Sequence, residues 1–310
     1  MGILSNLFNW FNIKDKQEKE RKIDYVLENE PESIEDIGQM FKAFELEKYL
    51  PNIEPLVRPV IELELKPTAE NSIKNFDSKI GGKPSLPKDY DWPKTSKQKS
   101  MSFIAQLNIT DIKKHDEENL FPSDGIISFF YCADQQAWGF DPKDKNSFKV
   151  IYFNSSQELQ KADFPTDLES ESIFKPNVIK FTKSLSIPTW DDDSIIGLIE
   201  DEDSDNYFEV SHGAENQILG YANNIQNTME LECQLVTNGL YCGDPSGYND
   251  PRRKELESGQ KDWVLLLQVG SEDEDTGMMW GDLGRIYFWI KKQDLKEKNF
   301  DNSWCILQCS

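Results

Sequence analysis

The chain has 310 residues, with 56 acidic and 34 basic side chains and a formal net charge of −22. A field of that sign repels polyanions, which excludes nucleic acid as the expected partner and favours a basic protein. Aromatic residues make up 12% of the chain, which excludes a disordered polypeptide and implies an aromatic core beneath a charged surface.

Leu4, Leu7, Phe8 and Phe11 share one face of a helix predicted over residues 3–13, and a mixed-charge segment, 14–22, follows. Such a segment is suited to lying in a membrane interface, to docking on its own domain, or to fraying as a terminus. Asn6 stands where the N-myristoylation pattern needs Ser or Thr. Residues 21–30 and 32–49 also read as helical. In the second, Ile34, Ile37, Phe41 and Phe44 recur at helical spacing, Ser33 is the expected N-cap, and Pro51 and Pro55 end the run. Residues 1–50 are therefore an N-terminal helical appendage. No apolar run of about 18 residues occurs, so no membrane-spanning helix is expected.

From Val57 the pattern changes to short apolar runs punctuated by Pro, Gly and Asp, as strands require. Residues 60–65, 103–108, 125–131, 148–153, 178–181, 263–269 and 284–290 are the expected strands. Four motifs recur in the same order. Val60-Ile61 resembles Val178-Ile179, and Ile80-Gly81-Gly82 resembles Ile218-Leu219-Gly220. Phe103–Leu107 matches Leu265–Val269, each with an internal glutamine (Gln106, Gln268), and Gly125–Phe130 matches Gly284–Trp289. The expected fold is α+β: a β-rich core of antiparallel sheets over residues 51–310, formed by internal duplication of units at about 57–155 and 175–310. Each glutamine lies inside an apolar run, so its amide must satisfy backbone groups or incur a cost of about 1–3 kcal/mol.

The acidic stretches Asp191–Asp193 and Glu200–Asp205 raise the question of calcium. Counted from Asp201, however, the EF-hand pattern finds Asn206 where glycine belongs and His212 where a bidentate glutamate belongs. A solvated acidic loop is expected, with no metal and no cofactor. The cysteines, Cys132, Cys233, Cys242, Cys305 and Cys309, are odd in number and show no Cys-x-x-Cys spacing, and no secretory leader pattern precedes them. They read as free thiols in a reducing cytoplasm.

Several longer motifs carry a family resemblance. They include Gly220–Gln226, Glu230–Gln234, Gly243–Tyr248, Asp262-Trp263, Gly277–Asp282 and Leu307–Cys309, with Gly81–Pro84, Leu86-Pro87 and Trp138–Pro142 in the first half. Over residues 50–310 they resemble the YwqG-like family, a bacterial domain of unknown function (DUF1963). Two positions depart from the family pattern: Asn216 replaces its His and Ala222 its Pro. The resemblance implies a soluble, β-rich bacterial protein and brings no activity, substrate or cofactor.

No nucleophile elbow or phosphate loop is present, and no catalytic residue is assigned. His115 lies in a charged run, which leaves His212 as the one histidine suited to act as a base. Tyr241, Asp244, Tyr248, Trp280, Asp282 and Arg285 combine aromatic and polar groups near glycines, as ligand pockets do. They are the ligand-binding candidates, although Asp beside Gly also forms turns. The leading expectation is a non-enzymatic binding protein, an immunity or adaptor protein for a basic partner. The alternatives are an enzyme using carboxylates near Trp280–Arg285 and a peripheral membrane protein anchored by residues 3–13.

Overall fold

The computed structural model describes residues 30–272 and 274–310. The amphipathic segment 3–13 and most of the helix expected at 21–30 lie outside the described residues. Two compact units form, one from residues 30–60 with 184–213, the other from 61–183 with 214–310.

The smaller unit is built on helix α1, Ile34–Ala43. Ser33 caps it as its sequence position predicts: Ser33 Oγ accepts from Asp36 N at 3.2 Å, and the Asp36 carboxylate accepts from Ser33 N at 2.9 Å. This reciprocal box satisfies two N-terminal amides. The Ser33 hydroxyl, donating to the Asp36 carboxylate at 2.7 Å, and the backbone N–H groups of Ser33 and Glu32 hold that carboxyl below its ordinary pKa. Phe44 and Glu45 end the helix, the latter in a left-handed conformation (φ 61°), so the single helix expected over 32–49 breaks there. A 3₁₀ turn at 47–49 and α2, Leu50–Ile53, follow. Ile37, Phe41, Tyr49 and Ile53 bury their side chains with Ile187, Ile195, Tyr207 and Val210. Phe41 meets Tyr207 edge-on at 6.3 Å, and Tyr207 donates to the carbonyl of Pro188.

In the larger unit the chain forms β1, Arg58–Pro67; β2, Lys79–Ile80; β3, Ser85–Leu86; and β4, Met101–Asn108. Next come α3, Ile109–Ile112; β5, Ile126–Cys132; β6, Phe148–Phe153; β7, Gln160–Lys161; and β8, Asn177–Ser186. After α4, Ser204–Val210, which belongs to the smaller unit, come β9, Gln217–Leu219; α5, Glu230–Val236; α6, Pro245–Tyr248; and α7, Arg253–Leu256. The chain closes with β10, Trp263–Gly270; β11, Arg285–Lys291; α8, Lys292–Glu297; and β12, Trp304–Gln308. The outer three residues of β1 and of β8 fall in the smaller unit. A separate ribbon pairs β3 with β7.

Ten strands join in one sheet in the order β12-β11-β10-β9-β1-β8-β2-β4-β5-β6. Read inward from one edge the strands are 6, 5, 4, 2, 8; from the other they are 12, 11, 10, 9, 1. The registers of β4 with β5, β5 with β6, β10 with β11 and β11 with β12 are antiparallel. β5 and the middle of β11 are buried on both faces, which is why they appear as continuous apolar runs without period-two alternation. One face of the sheet turns inward, where Phe129 of β5 and Phe288 of β11 meet at 5.0 Å. The edges also approach: Phe148 of β6 lies 5.5 Å from Trp304 of β12, and Leu307 N donates to Trp138 O. The sheet is thus nearly closed into a barrel, leaving little unpaired edge. Gly139 sits in the seam with φ 93°, and a Cβ there would lie 2.4 Å from the Cys305 carbonyl oxygen.

The repeated motifs occupy matching places. β4 bulges between Phe103 and Ala105, and β10 bulges between Leu265 and Leu267. Gln106 Oε1 accepts from Ser85 N at 3.0 Å while its amide nitrogen donates to Asn75 O and Asp77 O. Gln268 Oε1 accepts from Asn223 N at 2.9 Å while its amide nitrogen donates to Ala214 O and Glu215 O. The glycines after β2 and the Leu219-Gly220 pair at the end of β9 all have positive φ, from 61° to 68°. Leu63 N donates to Asn216 O, and Ile179 N donates to Ser78 O.

Candidate functional site

The six candidate ligand residues divide into two groups. Trp280 is buried, donates its indole N–H to Gly270 O, and packs edge-on against Tyr131 and Phe174. It fixes the hairpin whose strand ends are bridged at Glu272 and Met278. Asp282 is exposed in the following turn, and Arg285 pairs through both Nε and Nη2 with the Glu215 carboxylate. In the second group Asp244 is the N-cap of α6 and accepts from Ser246 N at 2.8 Å. Tyr241 is partly exposed against Phe140, and Tyr248 donates its hydroxyl to Glu232 of α5 at 3.0 Å. Among the described residues no hydrogen bond, ion pair or ring contact joins one group to the other.

Glu232 is the group with altered chemistry that sequence reading missed. Burial on α5 pushes its carboxyl up to about 7 against the opposing bond from Tyr248, whose own phenol is raised by the same burial. Its signal was weak, because an isolated Glu in Glu230-Leu231-Glu232 looks like any helix surface. The thiols tell the reverse story. Burial pushes Cys132 up to about 11 and Cys242 up to about 12, and raises Cys233 and Cys305 well above the ordinary thiol range, so these sulfurs are protonated packing groups. His212 rests edge-on against Phe208 at 5.3 Å.

Two clefts in the larger unit share Lys145 as a wall. One, of about 380 Å³, is lined by Tyr90, Lys94, Lys149, Phe300 and Asp301 among others. The second, of about 440 Å³, is lined by Trp263, Trp304, Lys291, Asn238, Asn302 and Asp294 among others. Lys149 is paired with Asp301 at 2.6 Å.

The smaller unit has the opposite polarity. Its residues 30–60 and 184–213 contain 16 acidic and 3 basic side chains, a net of −13 out of the chain's −22. The acidic stretch expected as a loop is partly helical: a 3₁₀ turn at 201–203 leads into α4, with carboxylates at the N-terminal end where the helix dipole favours them. Glu200, Glu202 and Asp203 converge closely enough to hold a cation. The Lys48 ammonium already contacts two of them, Glu200 at 2.5 Å and Asp203 at 2.9 Å, and Tyr49 donates to Asp203 at 2.7 Å. Beside these acids the unit exposes large apolar side chains: Trp190 is 50% exposed, Ile196 70% and Phe208 41%. Trp190 and Phe208 lie 6.2 Å apart, ring to ring.

A family model described as "Domain of unknown function (DUF1963)" matches residues 78–309, well over half of the chain. No curated protein matches the sequence. No helix among the described residues is long and apolar enough to cross a membrane.

Proposed function

The chain belongs to the DUF1963 family, and from that premise we propose that it is a non-enzymatic binding protein whose acidic unit docks a basic protein partner. The observation that carries this reading is the combination on one small unit of a −13 charge with exposed Trp190, Ile196 and Phe208. Acidity alone would serve solubility. Large apolar groups held in water beside it are an energetic liability that a partner removes, and aromatic anchors ringed by charge are what binding hot spots use. The charges supply a fast, salt-sensitive encounter, and the aromatic groups supply residence time.

The test is capture from native lysate at low and high salt. Wild type is compared with a Trp190→Ser/Phe208→Ser variant and with Asp191, Asp192 and Asp193 changed to Asn. A basic protein retained at low salt, weakened several-fold at high salt and by either variant, is the expected result. Recovery of no basic protein at either salt, or equal recovery by the variants, overturns it.

We also infer that the sheet descends from an internal duplication with repeat units at about 57–155 and 175–310. The strand order that reads alike from both edges supports this, as do the matched bulges and the glutamines with equivalent backbone partners. Lys79 and Gln217 extend the match, since the first donates to Lys83 O and the second to Tyr221 O, four residues on in each case.

A further inference from the structure

The 440 Å³ cleft of the larger unit has a chemistry unlike that of the acidic unit. Two ammonium groups line it against a single carboxylate, Asp294, whose oxygen accepts from Asn302 at 2.6 Å. Lys291, the last residue of β11, lies 5.5 Å from the ring centroid of Trp263, and no carboxylate among the described residues comes within ion-pair distance of it. Lys145 lies 5.9 Å from the Trp304 centroid and donates to the carbonyl oxygens of Asp301 and Ser303. Those oxygens orient the ammonium without neutralising it, and one N–H is left over. Burial holds Lys145 below its ordinary pKa, against the opposing pull of the Asp301 and Asp294 carboxylates.

We propose that this cleft binds a small organic anion, a phosphate or carboxylate carried on an uncharged body of metabolite size, with Lys145 and Lys291 gripping the anionic group. The volume decides the size class: it far exceeds the roughly 30 Å³ share of a single water and falls within the range of about 300–1,000 Å³ used for small ligands. The rest of the lining suits such a body, because Thr237, Asn238 and Asn302 offer polar atoms and the two indoles offer apolar edges. The net charge of −22 does not oppose this. At physiological ionic strength fields are screened over about 8 Å, so the two nearby ammonium groups govern the cleft. This site is independent of the acidic face proposed above, and either can fail without the other.

The experiment is calorimetric titration of the full chain with glucose 6-phosphate, citrate and inorganic phosphate, with glucose as the uncharged control. At least one organic anion is expected to bind more tightly than inorganic phosphate, and glucose not at all. Lys291→Gln is expected to weaken that binding about tenfold, as loss of one charge-assisted bond does, with Lys291→Arg retaining it. Lys145→Gln should act alike; if that variant unfolds, the Lys291 pair decides alone. Inorganic phosphate binding as well as the organic anions, no anion binding, or binding untouched by Lys291→Gln each overturns the proposal.

Discussion

The half of the sheet built from β2, β4 and β5 and the half built from β9, β10 and β11 use one hydrogen-bonding frame and fill it differently. In both, a buried glutamine ties its bulged strand to the turn beyond the neighbouring short strand. In both, a side chain two residues ahead of a glycine or leucine turn reaches forward to a carbonyl, but it is Lys79 in the first half and Gln217 in the second. Beyond β4 the chain turns into α3, whose Ile109 and Ile112 are buried, whereas beyond β10 it enters the acidic hairpin. The second half also inserts α5, with Glu232, between β9 and β10. The frame is therefore set by backbone satisfaction, while the insertions answer to other demands.

The largest expected effect tests whether the two glutamines are equivalent in energy as well as in geometry. Gln106 and Gln268 are each fully buried and each meets three backbone groups. Replacement by Leu keeps the volume and strands those groups, at about 1–3 kcal/mol for each that water cannot reach. Gln106→Leu and Gln268→Leu should each lose roughly 3–5 kcal/mol in urea unfolding on that basis. A near-neutral result at one site would break the correspondence.

Next comes the position where the halves disagree. Lys79 has no exposed surface, and burial lowers its pKa to about 8. The folded state thus releases this proton before the unfolded chain does, so the charged lysine weakens the fold below pH 8 and the penalty fades as pH rises from about 8 toward the unfolded value near 10.5. Lys79→Gln, which installs the residue of the other half, should stabilise the protein at pH 7 by up to about 3 kcal/mol. It should also flatten the stability profile between pH 8 and 10.5. A variant less stable than wild type at pH 7 would mean that the contact with Lys83 O and the Phe103 ring, 5.9 Å away, outweighs desolvation.

Much of this frame could be read from residue order. Apolar runs located β4, β5, β6, β10 and β11, the recurring glutamine marked both bulged strands, and Ser33 marked the start of α1. What could not be read depends on long-range contact. Ile37 and Phe41 show the period of a helix face, yet nothing local says that they pack on Ile187 and Tyr207, so a division near residue 50 follows from composition alone. The six candidate ligand residues are of types that suit turns and core as well as pockets: Trp280 is core and Asp244 is a cap. The lysine cleft was invisible because Lys145, Lys291 and Trp304 come from separate segments that only sheet closure brings together.

The smallest effect concerns the bond that ends each central strand. Ser78 Oγ accepts from Asn108 N at 2.9 Å, and Asn216 Oδ1 accepts from Gly270 N at 3.1 Å. Both are single neutral bonds at positions equivalent in the two halves, so Ser78→Ala and Asn216→Ala should each cost about 1 kcal/mol. The two differ in what surrounds the freed amide. Asn108 also caps α3 and donates to Phe76 O, so its backbone has other restraints, whereas Gly270 begins the acidic hairpin. Amide exchange at residues 271–280 should therefore accelerate in Asn216→Ala, while α3 stays protected in Ser78→Ala. Equal exchange in both would place the stiffness of the hairpin in its contacts with Lys175 and Asn177 rather than in the strand it leaves.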